Sequence, residues 1–334
     1  MLLAADSASL SAMLLLTGAT GQVGSALLDR LLAEGTPVRC LVRDPRRLGA
    51  RRVRVQIALG DLADPPSFRN AMRGVDTVVH LAASIRDQRR GSIEELNGIA
   101  TWRMVQAAER AGVERFVFCS ALGASTHHRV RFFRAKALAE QAVLAAGLHA
   151  VVLSPSIVYA PGDQWLTLLE RLALLPLMPV SGRGRALYEP IWVQDAADCV
   201  LGALRLLREQ SPAPDTAAAP AASPPAAPVA TGLAASATRD PRRFELAGPQ
   251  TLSHTDIVRL VLRSLGRRRP LLHVPTPVVS RALRLVESVA RQRAFATWDE
   301  AELMEVSMTS ARGTADAERL GVAPRSMAEI LAPA

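Results

Sequence analysis

The chain has 334 residues, 49% of them hydrophobic and 21% charged, with a formal net charge of +9. That length suits one large core or a core with a smaller lobe, and no apolar run approaches the ~20 residues of a membrane span. The opening stretch lacks the basic flank and cleavage pattern of a secretory signal, and Cys40, Cys119 and Cys199 are far apart with no zinc-like spacing. A spanning or exported chain, a disulfide framework and a metal site are therefore all disfavoured, and a cytoplasmic location is expected.

In chain order, residues 1–12 carry no periodicity and read as a disordered leader, with Met13 as an alternative start. The apolar run 13–17 predicts a strand ending in Gly18, Ala19, Thr20, Gly21, Gln22, Val23 and Gly24. An amphipathic segment at 25–34 closed by Gly35 predicts the first helix. Further strands are expected at 37–42, 53–58, 77–81, 116–119 and 150–153, with helical patterns at 66–72, 93–111 and 134–146 between them. Alternating strands and helices predict an α/β fold, a doubly wound parallel sheet of the Rossmann type. The first domain is expected over 13–210, with part of a substrate lobe at 165–192 and a strand-like run at 186–193. The nearly pure Ala, Pro, Ser and Thr stretch within 211–241 predicts a disordered insert. Residues 242–334 then form the small C-terminal lobe, with a strand at 242–246, a helix at 253–265 capped by Ser253, and short helices at 309–331.

A glycine-rich turn between the first strand and first helix suits a dinucleotide, because glycine lets the backbone approach and the helix N-terminus faces the pyrophosphate. Gly18, Gly21 and Gly24 are spaced G-x-x-G-x-x-G in that strand–turn–helix context. The runs TGATGQVG, GDLAD at 60–64, HLAA at 80–83, Asn97, FVFCSALGA at 116–124 and RFFRAKALAEQAVLAAGLHAVVLSPSIVYAPGD at 131–163 together resemble the short-chain dehydrogenase/reductase superfamily. Within its extended and atypical branches, the sequence is most similar to relatives of the nucleotide-binding accessory subunit of respiratory complex I. The segments 190–204 and 244–258 carry the similarity into the substrate lobe.

The resemblance implies that Gly18, Thr20, Gly21, Gln22, Val23 and Gly24 line the pyrophosphate, that Asp61 and Leu62 flank the adenine, and that Ala82 and Ala83 pass the nicotinamide-side ribose. Pro155 takes the place of the proline beneath the nicotinamide. Arg43 follows the second strand, where NAD-preferring members carry an acid. An arginine there pairs with a 2′-phosphate, so NADP(H) is favoured over NAD(H), although Asp44 comes one place later.

The superfamily's reductases use Tyr-x-x-x-Lys, with both side chains on one helix face and the ammonium lowering the phenol pKa. Here Lys136 is present, but the tyrosine position is Phe132, and Tyr159 and Tyr188 do not precede a lysine by four. Ordinary alcohol–ketone oxidoreduction is therefore not expected. Yet Lys136 is the only lysine among forty basic residues, and a compact ammonium suits ribose hydroxyls better than an arginine fork does. The bland alternative is an exposed helix lysine. Ser120 matches the family's active-site serine, with Ser125 as an alternative register, and either could simply cap a turn. His127 and His128 could replace the lost acid or be merely solvated. Candidate catalytic residues are thus Lys136 and Ser120.

Drift toward arginine explains much of the basicity without a partner. With 4% aromatics and none interleaved with the clusters at 46–54 and 267–269, nucleic acid is not expected. An anionic cofactor or an acidic membrane surface remains. The apolar run 165–180 and the basic amphipathic stretch 278–293 could meet a hydrophobic substrate, such as a quinone, or lipid at the inner face of the membrane. A core-facing helix is the alternative reading of 278–293. Two functions follow: an NADPH-dependent oxidoreductase with a hydrophobic acceptor, or a non-catalytic NADP(H)-binding accessory or sensor protein. Association with a respiratory complex is one form of the second.

Overall fold

The computed structural model describes residues 13–210, 240–275 and 302–332. The expected leader, most of the insert and the 278–293 stretch lie outside the described residues.

Seven parallel strands form the central sheet in the order β11-β6-β5-β4-β1-β2-β3. These are β1 (Met13–Thr17), β2 (Val38–Val42), β3 (Gln56–Leu59), β4 (Val75–His80), β5 (Arg115–Cys119), β6 (His149–Pro155) and β11 (Arg243–Leu246). The strand run MLLLT shows why the sheet is covered twice. Leu14 and Leu16 point into one apolar cluster and Leu15 into another, because successive side chains leave opposite faces. In β5, likewise, Val117 joins the first cluster and Phe116 and Phe118 the second.

On the first face lie α1 (Gln22–Ala33) and α6 (Val193–Glu209), joined by Arg30, which bonds both carboxylate oxygens of Asp198 at 2.5 and 3.0 Å. The second face carries α2 (Pro65–Arg69), α3 (Ala100–Arg110) and α4 (Arg131–Ala145). A π-helical turn, Glu95–Ile99, leads directly into α3. Val53 and Arg54, expected as the start of β3, instead end a short helical stretch that follows a break at Gly49, where φ is 59° and ψ −136°. The 3₁₀ turn before that break starts at Pro45 and is capped by Asp44, which accepts from Arg46 N at 3.0 Å, and proline just inside the cap favours it.

The main sheet takes its seventh strand from beyond residue 242. Arg243–Leu246 pairs in parallel with β6, Phe244 opposite Leu153, so this segment serves the first domain rather than the small lobe to which the sequence pattern assigned it. The lobe has its own core of Tyr159, Leu166, Met178, Tyr188, Ile257 and Val261, among others. It is built from α5 (Gln164–Leu172), α7 (His254–Ser264) and three short strand pairs: β7 (Val158–Tyr159) with β10 (Ile191–Trp192), β8 (Met178–Ser181) with β13 (Leu271–Val274), and β9 (Leu187–Tyr188) with β12 (Leu252–Ser253). The strand-like run 186–193 is therefore two short strands leading into α6. Two short helices, α8 (Ala315–Arg319) and α9 (Met327–Ile330), follow, α8 against β11 and α9 near β10. Among the described residues no helix is long and apolar enough to cross a membrane.

Candidate functional site

All seven strands are parallel, so their carboxyl ends share one edge, where ligands of open α/β sheets bind. The glycine loop after β1, Arg43 after β2, Asp61 and Leu62 after β3, Ala82 and Ala83 after β4, Ser120 after β5 and Pro155 ending β6 all lie on that edge. The structure thus brings these loop residues to one edge of the sheet.

The loop is held by its own backbone. Gly18 has φ of +74°, and a Cβ there would stand 2.7 Å from Ala82 N; at Gly24 a Cβ would stand 2.1 Å from Gly18 O. Both glycines are demanded by close packing of strand, loop and helix. Gly21 is different: it is exposed, its φ is −83°, and a Cβ would meet only Gly18 O, at 3.2 Å. The protein's own packing hardly requires glycine there, whereas a ligand resting on the turn does. The N–H groups of Gln22, Val23 and Gly24 find no acceptor among the described residues, and α1 has neither a side-chain cap nor an acid in its first turn. Unmet donors at a helix N-terminus over glycines form an anion site. A dinucleotide pyrophosphate fits it.

Below the loop runs a chain of buried hydrogen bonds that the sequence did not reveal. Ala82 N donates to Thr17 Oγ1 at 3.3 Å, Thr17 Oγ1 lies 2.7 Å from His80 Nδ1, His80 Nε2 lies 3.0 Å from Thr101 Oγ1, and Thr101 donates to Asn97 O at 2.7 Å. Thr101 spends its proton on Asn97 O, so His80 carries its proton on Nε2 and accepts from Thr17 at Nδ1. Burial, reinforced by the Lys136 charge, pushes the imidazole pKa down to about 3, which keeps this ring neutral. Asn97 donates to Ser84 O and Ile93 O, both at 2.7 Å, and accepts from Ser84 N at 3.1 Å, fixing the loop that carries Ala82 and Ala83.

Lys136 is buried to 2% exposure, which removes the reading of it as an exposed helix lysine. Its Nζ donates to Cys119 O at 2.6 Å and sits 4.9 Å from the Phe118 ring and 5.8 Å from the Phe132 ring. Burial lowers its pKa, while Cys119 and Glu140 act the other way. The ammonium has three donors and one protein acceptor, so two remain for ribose hydroxyls. Ser120 Oγ is buried and completes no hydrogen bond; burial raises the pKa of the nearby Glu140 carboxyl, with the Ser120 hydroxyl and Arg243 acting the other way. Glu140, one turn beyond Lys136, is buried and ion-paired with Arg243 of β11. Its i, i+4 spacing from the lone lysine was the available sequence signal for this partner.

Phe132 occupies the tyrosine position, half-buried and edge-on to Phe133 at 5.6 Å. His128 lies tilted against Phe133, ring centroids 4.6 Å apart, and accepts from Val130 N at 3.0 Å, with burial lowering its pKa. His127 is exposed. Arg43 is exposed and has no ion pair among the described residues, while the Asp44 carboxylate is engaged by Arg46 N and the Arg46 guanidinium.

This architecture is a doubly wound α/β domain of the Rossmann type, with an anion site at the N-terminus of its first helix. Residues 18–165 match the NAD(P)H-binding family model. The chain is similar to sterol demethylase protein B of Methylococcus capsulatus (35% identical, 48% of this chain and 56% of that protein). It is also similar to ceramide reductase of Caulobacter vibrioides (32%, 54% and 57%) and to the mitochondrial NADH dehydrogenase [ubiquinone] 1 alpha subcomplex subunit 9 of Arabidopsis thaliana (30%, 56% and 49%). The chain spans about half the length of these relatives. UDP-glucose 4-epimerase of Thermotoga maritima shares the fold, with a TM-score of 0.65 at 18% identity, covering 96% of each chain.

Proposed function

We propose that the chain is an NADP(H)-dependent oxidoreductase that delivers hydride to a hydrophobic acceptor, such as a quinone, which needs no phenolic acid. The observation that carries this is Phe132 over Lys136: the cradle for the dinucleotide is complete, and the proton donor of ordinary carbonyl reduction is a hydrocarbon ring. When bound, the nicotinamide supplies a hydride. The chain's own groups do the rest. Gln22, Val23 and Gly24 N–H hold the pyrophosphate, and Asp61 and Leu62 bound the adenine. Ala82 and Ala83 line the ribose passage, Pro155 supports the ring, and Lys136 donates to ribose hydroxyls. Ser120 Oγ orients the acceptor oxygen. A quinone takes one hydride and one proton to become the hydroquinone, and water or His128 supplies the proton. The phosphate preference rests on Arg43, free at the carboxyl end of β2 while Asp44 is occupied by Arg46. Names among the relatives, a sterol demethylase protein and a ceramide reductase, favour an apolar acceptor. Such a protein would work at the cytoplasmic face of a membrane.

A second reading is favoured by the same phenylalanine and by the bond from Lys136 to Cys119 O. In it the chain holds NADP(H) without turnover, as an accessory or sensor protein comparable to the complex I subunit it resembles, with a respiratory complex as partner. Denaturing the purified protein, identifying released nucleotide and following NADPH oxidation with a short-chain quinone separates the two. Quinone-dependent oxidation that is lost in Lys136→Ala supports the oxidoreductase. Stoichiometric NADP(H) that no acceptor oxidises supports the binding protein. Neither nucleotide nor binding would overturn both.

A further inference from the structure

We infer that the small lobe carries a docking surface for an anionic phospholipid bilayer, formed by the loop after α5 and the arginine groove after α7. Strands β8 and β13 are parallel, with Leu271 opposite Met178, so the segments that enter them arrive side by side at one end. One is the loop 173–177 and the other is 265–270. Arg267 Nη1 donates to Ala173 O at 3.2 Å and Met178 N to Pro270 O at 2.9 Å, which stitches the two together.

The surface they make has two parts. Leu174 is 62% exposed and Leu175 and Leu177 46% each, with Leu265 and Leu272 also exposed nearby. Beside them an open groove of about 600 Å³ is lined by Arg259, Arg263, Arg267, Arg268 and Arg269. Residues 171–188 and 257–275 contain no acid at all. Arg259 has Asp256 at 3.4 Å, whereas Arg263, Arg267, Arg268 and Arg269 have no carboxylate partner among the described residues.

Arg267 and Arg269 bond Ala173 O, but folding gives Arg263, Arg268 and the leucines no comparable role. Clustered exposed leucines mark an interaction site, and guanidiniums that have no carboxylate partner among the described residues repel one another in one groove unless an anionic surface lies against them. A bilayer meets both demands, since leucines enter the headgroup–acyl boundary while arginines take the lipid phosphates. Nucleic acid meets one only: the loops 173–177 and 265–270 contain no aromatic ring for base stacking, and phosphate binding gives five exposed leucines no role. This surface is distinct from the dinucleotide edge, and the inference does not rest on the proposed activity.

The test is co-sedimentation of the full chain with phosphatidylcholine vesicles, with and without phosphatidylglycerol. Binding is expected only to the anionic vesicles and should fall as salt is raised. Arg263→Glu/Arg268→Glu and, separately, Leu174→Ser/Leu175→Ser should each weaken it at least about tenfold, with an unchanged circular dichroism spectrum. Arg110→Glu on α3 should bind as the parent does. Equal binding to neutral vesicles, undiminished binding of the leucine variant, displacement by free glycerol phosphate, or retention on nucleic acid but not on vesicles would each overturn the inference.

Discussion

At the scale of single residues, the site is defined by a charge kept and a hydroxyl lost. Lys136 lies in the interior with one hydrogen bond, close to the apolar rings of Phe118 and Phe132. Burying a cation is costly, and replacing it by an apolar side chain of similar length is often neutral or stabilising. Lys136→Met is therefore expected to keep or raise the melting temperature by a few degrees while weakening NADPH binding at least about tenfold; calorimetry and fluorescence titration read the two separately. A lysine held only for stability would lower both. His80 gives a pH prediction. Its folded pKa is about 3 against 6.5 in the unfolded chain. Below 6.5 the unfolded state takes a proton that the native state refuses until about 3. The contribution is thus whole above 6.5 and is lost as pH falls, by up to about 1.4 kcal/mol per pH unit. Urea melts across that window should be steeper in pH for the parent than for His80→Phe by one proton.

At the scale of elements, α4 carries the lysine and must be held against the π-helical turn and the loop before it. Arg131 at its start bonds both carboxylate oxygens of Glu94 at 2.7 Å and reaches Asp87 at 3.2 Å, while Asp87 also accepts from Ile93 N at 2.8 Å. The Arg131 guanidinium holds the Glu94 carboxyl down to about 2. A depressed carboxylate stabilises above its unfolded value of 4.5, and that contribution is lost as pH falls toward 2. Both side chains are partly exposed, so solvent screens the pair. A double-mutant cycle of Arg131→Ala and Glu94→Ala should give a coupling of about 0.5–1 kcal/mol at neutral pH, vanishing in acid.

Most of these elements were legible in the sequence because periodicity and turn residues report local structure. The run MLLLT followed by three spaced glycines located β1, the loop and α1, and FVFC and AVVL located β5 and β6. What stayed hidden was non-local. Nothing in HLAA shows that His80 will be bonded on both nitrogens by Thr17 and Thr101, since the sheet alone brings them together. The strand expected at 53–58 begins only at Gln56, because a helical turn after the break at Gly49 runs on to Arg54. The apolar run 165–180 was expected to meet a hydrophobic substrate or lipid, but composition could not tell that Leu166 and Leu169 would be buried in the lobe core while Leu174, Leu175 and Leu177 stay exposed.

At the scale of the whole molecule, two cores are joined along one seam. Buried Glu189 accepts from Thr251 Oγ1 at 3.0 Å and from Ser310 N at 2.7 Å, and Ser156 Oγ donates to Met308 O at 2.7 Å. The lobe and the C-terminal segment are thereby anchored at the end of β6, beside Pro155. Charge at this scale is uneven: the carboxyl edge of the sheet presents backbone donors at the start of α1 and the exposed Arg43, whereas the acid-free segments of the lobe gather Arg263, Arg267, Arg268 and Arg269, which have no carboxylate partner among the described residues.

The late arrival of β11 has a consequence for how the protein is made. Strand β6 is buried from Ala150 to Pro155 and is flanked by β11 on its outer side. A ribosome elongating at about 5–20 residues per second completes β6 several seconds before it reaches Arg243. Throughout that interval a nascent chain presents a bare, apolar strand edge, the kind of template that invites pairing with a neighbouring chain. Chains ended between α6 and residue 243 should therefore collect in the insoluble fraction, whereas chains carried past Leu246 stay in solution. Fractionation of such a truncation series, with and without a chaperone that shields nascent strands, checks this.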